Sequence, residues 1–226
     1  MKQDKTISQG RTYGGLSLEQ RKQQRCQQFL VAGLEIFGTQ GFRTATVRGL
    51  CREAKLTDRY FYEAYGTMEK LLMAVYEDCM TKIRNKILQE VVEVAPGADL
   101  NKLIHAALNC YFSEMEDARV ARVCMLELAG ISAEVDELYN GYILGFSELV
   151  MSLAQRVYPD WVLSSDEMEV LGISTIGAMR QAATNWLLSD YRVDRQILVN
   201  STAKIFIGLM ILIESEQNSS MSSAFQ

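Results

Sequence analysis

The chain has 226 residues, of which 48% are hydrophobic, and a formal net charge of −5, so we expect a globular protein with one large or two smaller domains. It lacks an uninterrupted run of about 18 apolar residues and an apolar N-terminal segment, which predicts neither a membrane span nor a signal peptide. Its five cysteines follow no disulfide or metal-ligand spacing. We therefore expect free thiols in a reducing cytoplasm and no metal site, and the sequence gives no support for a redox role.

The charge is divided unevenly along the chain. Residues 1–66 carry 11 Lys and Arg against 6 Asp and Glu, a net charge of +5, whereas the remainder carries 12 against 22, a net charge of −10. The basic part suits phosphate contacts, and DNA would repel the acidic part. Within the basic part, residues 1–16 are polar, which predicts a flexible basic arm that is either a plain disordered terminus or a minor-groove contact.

A first helix is predicted directly after this arm. Ser17 with Gln20 three residues later is the signature of a capping box. The apolar spacing carries this helix to about Phe37, and we expect Gly38 and Gly41 to end it.

Residues 46–65 contain two short helical patterns separated by a tight break. In the first, Val47, Leu50, Cys51 and Ala54 recur at i, i+3, i+4 and i+7, as on a helix with one buried face. Such short helices are stable only when neighbouring elements hold them.

The second short helix is expected to present one face outward. Thr57 is predicted to cap it by accepting a backbone N–H. Phe61 and Tyr65 fall on its inner side, whereas Arg59 and Tyr60 point the opposite way. Arginine, tyrosine and a carboxylate on a short, tethered helix suit phosphates and base edges in a major groove.

Residues 18–80 resemble the DNA-binding domain of the TetR family of transcriptional regulators. The resemblance rests on the long first helix, on GFRTATVRGLCREAKL, on the recognition-helix string TDRYFYEAY, and on GTMEKLLMAVYED, which opens the next helix. It implies an all-α fold, with an N-terminal three-helix helix-turn-helix DNA-binding domain and a C-terminal helical ligand-binding and dimerisation domain.

The resemblance also implies which residues contact DNA. They are Thr46, Arg48, Thr57, Asp58, Arg59, Tyr60, Tyr62 and Lys70. Thr46, Arg48 and Tyr62 would contact the phosphate backbone, and the residues from Thr57 to Tyr60 would face the groove. Arg59 is our candidate for base readout, because a guanidinium can bridge guanine O6 and N7. Glu63 either accepts from cytosine N4 or, as we favour, pairs with Arg59 four residues earlier.

Two positions depart from the family pattern. Lys55 stands in the turn where the family has glycine, and it requires a positive φ or a different turn geometry. Met68 stands where the family often has a phosphate-binding lysine, and Lys70 is the candidate replacement. We expect these changes to affect DNA affinity or register and to leave the fold unchanged.

The next helix is expected to join two domains. Thr67 would cap it, and it would run without a break from Met68 to about Val94, where the Pro-Gly pair at 96–97 closes it. We place the domain boundary inside this rigid lever, near residue 80.

The rest of the chain reads as helical. Segments are predicted over residues 99–117, 119–131, 133–158, 165–190 and 194–215, and Ser164 with Glu167 forms a second capping box. The expected units are a flexible arm at 1–16, a helix-turn-helix domain at 17–80, an effector-binding and dimerisation domain at 81–216, and a disordered tail at 217–226.

The last two helices predict a homodimer. Segment 165–190 carries small residues that permit close helix approach, and segment 194–215 is apolar on nearly every side. A helix that is apolar all round must be buried all round, which at a chain terminus requires a second subunit. In the family these two helices pair with their copies, and two-fold symmetry predicts a palindromic operator.

The middle helices carry candidate pocket residues that mix aromatic, methionine and polar side chains, although the same mix is common in ordinary cores. The candidates are His105, Asn109, Phe112, Met125, Glu127, Tyr142, Phe146 and Trp186, with Tyr111, Met115 and Tyr139 nearby. His105 is the one histidine of the sequence and lacks partners for a metal site or a catalytic triad, which favours a core or pocket-lining role.

The sequence therefore predicts a cytoplasmic, ligand-responsive transcription factor, a repressor that binds an operator as a dimer and releases it when a small, mostly apolar molecule binds. No cofactor is expected. An architectural DNA binder without an effector is one alternative. The other is an all-helical enzyme or ligand carrier, but no phosphate-binding glycine loop, metal cluster or nucleophile with a nearby base supports enzymatic chemistry.

Overall fold

The computed structural model describes residues 17–92 and 99–224, and these form nine α-helices without a strand. They are α1 (Leu18–Thr39), α2 (Val47–Ala54), α3 (Asp58–Ala64), α4 (Met68–Val92), α5 (Leu100–Glu114), α6 (Ala118–Leu126), α7 (Ala133–Val157), α8 (Ser165–Leu188) and α9 (Arg195–Ala224). The predicted all-α fold is thereby confirmed. The predicted arm at 1–16 and the Pro-Gly pair at 96–97 lie outside the described residues.

The N-terminal unit is built from α1 to α3 and the start of α4. The ring of Phe29 on α1 meets the edge of the Phe61 ring at 5.7 Å and that of the Tyr65 ring at 6.2 Å between centroids. Leu50 of α2 and Leu71 of α4 complete this core without any exposure to solvent. Such edge-to-face aromatic contacts add to the burial of apolar area and tie the short helices to α1.

Most predicted helix starts have the expected caps. Capping boxes are present at Ser17 and Ser164, and Thr46 accepts from the Gly49 N–H at 3.1 Å. Thr67 likewise accepts from the Lys70 N–H at 3.2 Å. The prediction for Thr57 is wrong, since it occupies the N-cap position of α3 but its side chain forms no capping bond. The Asp58 carboxylate accepts from the Arg59 N–H at 2.9 Å instead.

The end of α1 also differs from the prediction. Gly38 lies inside the helix, which continues to Thr39, so it does not terminate α1. A Cβ at Gly38 would lie 2.6 Å from the Arg119 Cα, so this glycine permits close packing of α1 against α6. Gly41 follows the helix with a φ of +88°, a conformation that L side chains rarely adopt, and it turns the chain toward a short 3-10 turn at Phe42–Thr44.

The C-terminal unit packs around the long helices. α5 lies against α4 and α9, α7 lies against α8, and α6 packs against α1, α4 and α8. α5 and α6 end earlier than predicted, at Glu114 and Leu126. The predicted disordered tail is wrong for residues 217–224, because α9 continues to Ala224. The segment after Ile213 contains neither glycine nor proline, so nothing in the sequence stops the helix.

Helix α9 is apolar but only partly covered. Residues Arg195–Gln217 are long and apolar enough to cross a membrane by length and composition, with a mean hydropathy of 1.8 in the most apolar window. No membrane span was expected from the sequence because an uninterrupted apolar run is lacking, and that criterion misses this segment. One third of the window is buried within the chain, and the core helix of a soluble protein passes the same test. α9 therefore has an inner face in the core and an outer face that the chain leaves open.

Candidate DNA-binding surface and effector cavity

The turn between α2 and α3 is closed by a left-handed lysine. Lys55 has φ 55° and ψ 39°, so the chain adopts the positive φ and not the different turn geometry that was the other alternative. Its N–H donates to the carbonyls of Cys51 and Arg52, and the Leu56 N–H donates to the Cys51 carbonyl at 2.9 Å. These bonds satisfy the last carbonyls of α2 and set the angle at which α3 leaves the turn.

Two aromatic residues hold α3 from its inner side, as predicted. Phe61 is fully buried, and the Tyr65 hydroxyl donates to the Cys26 carbonyl of α1 at 3.1 Å. Burial raises the pKa of Tyr65 to about 12, so the phenol stays protonated at neutral pH and keeps this bond. α3 is thus fixed to α1 at its C-terminal end.

The outer face of α3 carries charge in solvent. The Arg59 side chain is 80% exposed, and its Nε donates to the Glu63 carboxylate at 2.7 Å, the local pair that the spacing favoured. Tyr62 is 59% exposed, and Asp58 and Thr57 are exposed beside it. An exposed ion pair of this kind has little effect on stability and leaves Arg59 able to exchange its partner.

Tyr60 differs from the expected outward orientation. It is half-buried against the core, and the Arg25 guanidinium of α1 lies 4.4 Å above its ring centroid. This cation–π contact brings a positive charge from α1 next to the recognition helix. Arg25 is therefore part of the same surface, a contact between residues far apart in sequence that no local pattern predicts.

The remaining candidate DNA contacts lie at the edges of this surface. Arg48 and Lys70 are exposed, and Thr46 is exposed at the start of α2 with its hydroxyl proton available to an acceptor. Met68 is half-buried against the core, so this side chain helps to seat α4.

A second contact region joins the two units between α1 and α6. Glu127, predicted to line a ligand pocket, accepts instead from the Phe42 N–H at 2.7 Å and pairs with Arg122 at 2.7 Å. Its side chain is only 11% exposed. Arg119 of α6 pairs with Glu35 of α1 at 2.8 Å and with Asp117 at 2.7 Å. The hydrogen bonds from Arg119 hold the pKa of Asp117 below its usual range and keep that carboxylate charged.

The C-terminal unit encloses a cavity of about 90 Å³ between α4, α5, α7, α8 and α9. Its walls are aliphatic and aromatic: Ile87, Val91, Leu100, Leu103, Ile104, Ala107, Leu108, Tyr111, Phe146, Leu149, Val150, Leu153, Ala154, Ile176, Met179, Phe206 and Met210. A smaller cavity of about 20 Å³ shares Tyr111, Phe146, Ile176 and Met179 with it and extends toward Tyr76 and Cys124. The two cavities are therefore neighbours, with the larger beside the end of α4 and the smaller beside its middle.

The predicted pocket residues divide into three groups. Phe146 lines both cavities, and Met125 and Tyr142 line the smaller one. Phe112 and Trp186 are buried in the core and meet edge to face, and the Trp186 Nε1 donates to the Val193 carbonyl at 2.8 Å.

The other three candidates lie elsewhere. Asn109 is exposed on α5, His105 is half-buried without lining either cavity, and Glu127 belongs to the contact between the units. The prediction looked for aromatic and polar residues, whereas most of the walls are aliphatic. Aliphatic residues at helical spacing read as ordinary core, so the sequence contained no signal for them.

Within residues 17–92 and 99–224, no group of three or more His, Cys, Asp or Glu side chains could hold a metal ion. All five cysteines are free thiols in the structure, and Cys51, Cys79 and Cys124 are buried.

Comparison with known proteins agrees with this geometry. Residues 29–75 match the family described as bacterial regulatory proteins, tetR family. No curated protein matches the sequence.

Several solved structures share the fold. The fatty acid degradation regulator FadR from Bacillus halodurans is 20% identical with a TM-score of 0.72, over 81% of this chain and 95% of its own. FadR from Bacillus subtilis in complex with stearoyl-CoA is 18% identical with a TM-score of 0.70, over 79% and 96% of the two chains. A putative tetR family regulator from Shewanella sp. PV-4 is 16% identical with a TM-score of 0.64, over 80% and 95%.

The family match covers the helix-turn-helix, and the structural matches extend the same architecture through the C-terminal unit. Members of this family are DNA-binding regulators and not enzymes. Residues 29–75 are thus similar to the tetR family of bacterial regulatory proteins, and the described chain shares its fold with solved transcriptional regulators.

Proposed function

We propose that this protein is a homodimeric repressor that leaves a palindromic operator when a long, apolar molecule enters the cavity of its C-terminal unit. The observation that carries the proposal is the continuous apolar wall of that cavity, which also includes Ile87 and Val91 of α4. The same helix begins in the DNA-binding unit, so a change at the cavity acts on a helix that supports α3. Such a regulator acts in the cytoplasm, where its operator is.

The surface around α3 supports the DNA-binding part of the proposal. Arg59 reads a base edge in the major groove, with Thr57, Asp58 and Tyr60 beside it. Thr46, Arg48, Tyr62 and Lys70 bind the phosphates that flank the groove, and the net charge of +5 on residues 1–66 favours the same contacts. Arg25, stacked on Tyr60, adds one further positive charge to this surface.

The outer faces of α8 and α9 support the dimer. We define the dimer strip as the exposed residues Val170, Ser174 and Gly177 of α8 and Ile197, Ile205, Gly208, Ile211 and Leu212 of α9. A Cβ at Gly177 or Gly208 would meet no other atom within 4 Å, which leaves room for a neighbouring helix. Burial of this strip against its symmetry copy accounts for an apolar helix that is only one third buried in a single chain.

The composition of the cavity supports a hydrocarbon chain as the part of the effector that binds. Each buried methylene contributes about 0.8 kcal/mol, and walls made of side chains such as Leu103, Val150 and Met210 offer a chain no polar partner. The Bacillus subtilis FadR structure holds stearoyl-CoA in the same fold. We infer that a fatty acyl compound is the effector class here.

The size of the cavity supports a mechanism for release. A space of about 90 Å³ is smaller than the roughly 300–1,000 Å³ of ordinary ligand sites. An acyl chain therefore enters only if α5, α7 or α9 moves away from α4. The ligand then favours the open arrangement over the closed one, and this differential affinity is the requirement for shifting a regulator between two states.

Two routes connect the cavity to α3. α4 runs from the cavity wall at Ile87 to its packing in the DNA-binding core at Leu71. α6 reaches the same unit through Glu127, which binds the Phe42 N–H, and through Arg119, which pairs with Glu35. A shift of α4 relative to α6 therefore changes the support under α1 and α3 together.

The test uses DNA from the region upstream of the protein's own coding sequence. We expect a dimer to bind one duplex from this region in a fluorescence anisotropy titration and to release it on addition of stearoyl-CoA. Free coenzyme A is the matched control, because it has the same polar group without the chain.

The variant Ala107→Phe sharpens the test. It fills the cavity from its α5 wall, so it should bind DNA as the wild type does and lose the response to stearoyl-CoA. Release by free coenzyme A, or an unaltered response of the variant, would contradict the acyl site. Binding to DNA without any thermal shift from acyl compounds would instead favour a DNA binder without an effector.

A further inference from the structure

The indole N–H of Trp161 is buried in the C-terminal unit. Trp161 lies between α7 and α8 and is only 9% exposed. Among the side chains that the structure describes, its Nε1 is the one buried nitrogen or oxygen without a hydrogen-bond partner. The second tryptophan, Trp186, is satisfied, because its Nε1 donates to the Val193 carbonyl at 2.8 Å. Since folded proteins pair nearly all of their buried polar groups, the Trp161 N–H requires an explanation.

The position of Trp161 is fixed from two sides. Its ring stacks on the Tyr158 ring, with the planes parallel to within 1° and the centroids 4.6 Å apart. The backbone of the next residue, Val162, is bound by the Gln217 amide of α9, which donates to the Val162 carbonyl at 3.0 Å and accepts from its N–H at 3.4 Å. A donor that is held in this way loses little freedom when a ligand binds, so it is preorganised.

Trp161 lies beside one end of the larger cavity. It belongs to a small hydrophobic cluster with Ala154, Met210 and Ile213, and Leu100 packs against this cluster. Leu100, Ala154 and Met210 are also walls of the larger cavity. Trp161 therefore packs behind the part of the wall to which α5, α7 and α9 contribute.

An acyl chain that enters the cavity would disturb this part of the wall. Here the inference rests on the proposed function, in which α5, α7 or α9 moves away from α4 to admit the chain. Such a movement displaces Leu100, Ala154 or Met210, which pack beside the indole. The aliphatic and aromatic walls offer a polar group of the ligand little to bind, whereas an indole N–H is a donor that binds only acceptors.

We propose that Trp161 is a specificity-determining residue whose indole N–H donates to the carbonyl oxygen of the bound acyl group. The hydrocarbon chain fills the enlarged cavity, and the carbonyl lies at the end formed by Leu100, Ala154 and Met210. The hydrogen bond satisfies a group that is unpaired without the ligand. A compound of equal length that lacks the carbonyl leaves the N–H unpaired and binds more weakly.

The test compares two ligands that differ only at the carbonyl. Stearoyl-CoA has this group, whereas S-octadecyl coenzyme A is the thioether in which a methylene replaces it. We expect the wild type to bind stearoyl-CoA about fivefold more tightly in calorimetric titrations, which is the effect of one hydrogen bond. Trp161→Phe keeps an aromatic ring without the N–H and should bind the two compounds equally. A general loss of packing cancels, because each variant is measured with both ligands.

Tyr158→Phe is the matched control, because it keeps the stacked ring and the indole N–H and removes only a hydroxyl. This variant should keep the preference for stearoyl-CoA. A direct readout on the wild type is the nitrogen–proton correlation spectrum, in which two tryptophans give two indole signals. Tyr158→Phe alters the neighbour of Trp161 and so identifies its signal. Stearoyl-CoA should move that proton signal downfield, and S-octadecyl coenzyme A should not.

Stearate distinguishes the two sources of such a carbonyl. Its carboxylate offers the same acceptor oxygen on the same chain without coenzyme A. A shift of the Trp161 signal by stearate alone supports a free fatty acid as the partner of the N–H, and a shift by stearoyl-CoA alone supports the thioester. A shift by neither overturns the donor role.

The affinities separate this inference from the proposed function. Equal binding of stearoyl-CoA and the thioether by the wild type, or a preference that persists in Trp161→Phe, overturns the donor role and leaves the acyl effector standing. A preference that is lost in Tyr158→Phe and kept in Trp161→Phe identifies the tyrosine hydroxyl as the donor and likewise overturns it. A wild type that binds none of these compounds contradicts the proposed effector as well.

Discussion

The two units of this chain use their apolar residues in different ways. In the DNA-binding unit, Phe29, Leu50 and Phe61 fill a small core completely, and the short helices are fixed by contacts with α1. In the C-terminal unit, long helices leave a gap along α4 and α5 and an uncovered strip on α9. A surface that reads DNA must keep one shape, and close packing provides that. A surface that responds to a ligand needs space and a second arrangement, which loose packing provides.

The largest effect is expected from a charge placed on the dimer strip, which should separate the two subunits. Ile205→Glu puts a carboxylate where two copies of α9 meet, and we expect a monomer by light scattering. Loss of the second half-site should weaken operator binding by about a hundredfold or more. Val162→Glu is the matched control, because Val162 is an exposed valine outside the strip. A dimeric Ile205→Glu protein would show that the uncovered strip has another role.

A second prediction concerns the DNA-binding unit and the residues on and beside the outer face of α3. Arg59→Ala should cost about 1–3 kcal/mol of operator binding and reduce the preference for operator over scrambled DNA. Lys70→Ala should weaken binding to both duplexes equally and lower the salt dependence. Anisotropy titrations at several salt concentrations measure both effects. Glu63→Gln removes the partner of Arg59 without removing the guanidinium, so weaker binding by this variant would contradict the assignment.

A third test addresses the contact between the two units. Glu127→Gln removes the charge that binds the Phe42 N–H and Arg122 in a nearly buried position, and we expect a loss of about 1.5–3 kcal/mol in the free energy of unfolding. Glu116→Gln breaks a solvent-exposed pair with Arg195 and should cost less than about 1 kcal/mol. Urea unfolding followed by circular dichroism compares them. Equal losses would mean that Glu127 does not join the units.

The smallest expected effect concerns the turn inside the rigid unit. Lys55 has a left-handed backbone that glycine adopts without strain, so Lys55→Gly should be more stable than Lys55→Ala by about 1 kcal/mol. Both variants lose the same charge, and their difference therefore reports the backbone alone. Thermal unfolding of the two proteins is sufficient. If the Gly variant melts at a lower temperature than the Ala variant, the greater flexibility of glycine in the unfolded chain outweighs the relief of backbone strain in the turn.

The helix-turn-helix could be predicted because the signals that specify it are local. The apolar spacing of α2, the cap at Thr46 and the inner position of Phe61 each follow from a few neighbouring residues. The positive φ at Lys55 was one of two turn geometries that the family pattern left open. The ion pair between Arg59 and Glu63 could be predicted in the same way, because the two residues are four positions apart on one helix.

The features that escaped prediction depend on residues distant in sequence. Tyr60 is held by Arg25 of another helix, and Glu127 is bound by a turn of the other unit. The cavity is a defect of packing among aliphatic residues such as Leu103 and Ile176, and the same residues would fill a core if the helices lay closer. A filled core and a core with a cavity have the same sequence pattern and composition, so only the three-dimensional structure distinguishes them.

The packing of Gly38 limits how this protein can be recombined with its relatives. Hybrid regulators join the DNA-binding unit of one protein to the C-terminal unit of another, and a long helix such as α4 suggests a simple place for the junction. Yet the backbone of Arg119 occupies the place of any side chain at Gly38. A DNA-binding unit from another protein fits this C-terminal unit only if it has glycine at the position of Gly38. With alanine there, the added methyl group forces the two units apart.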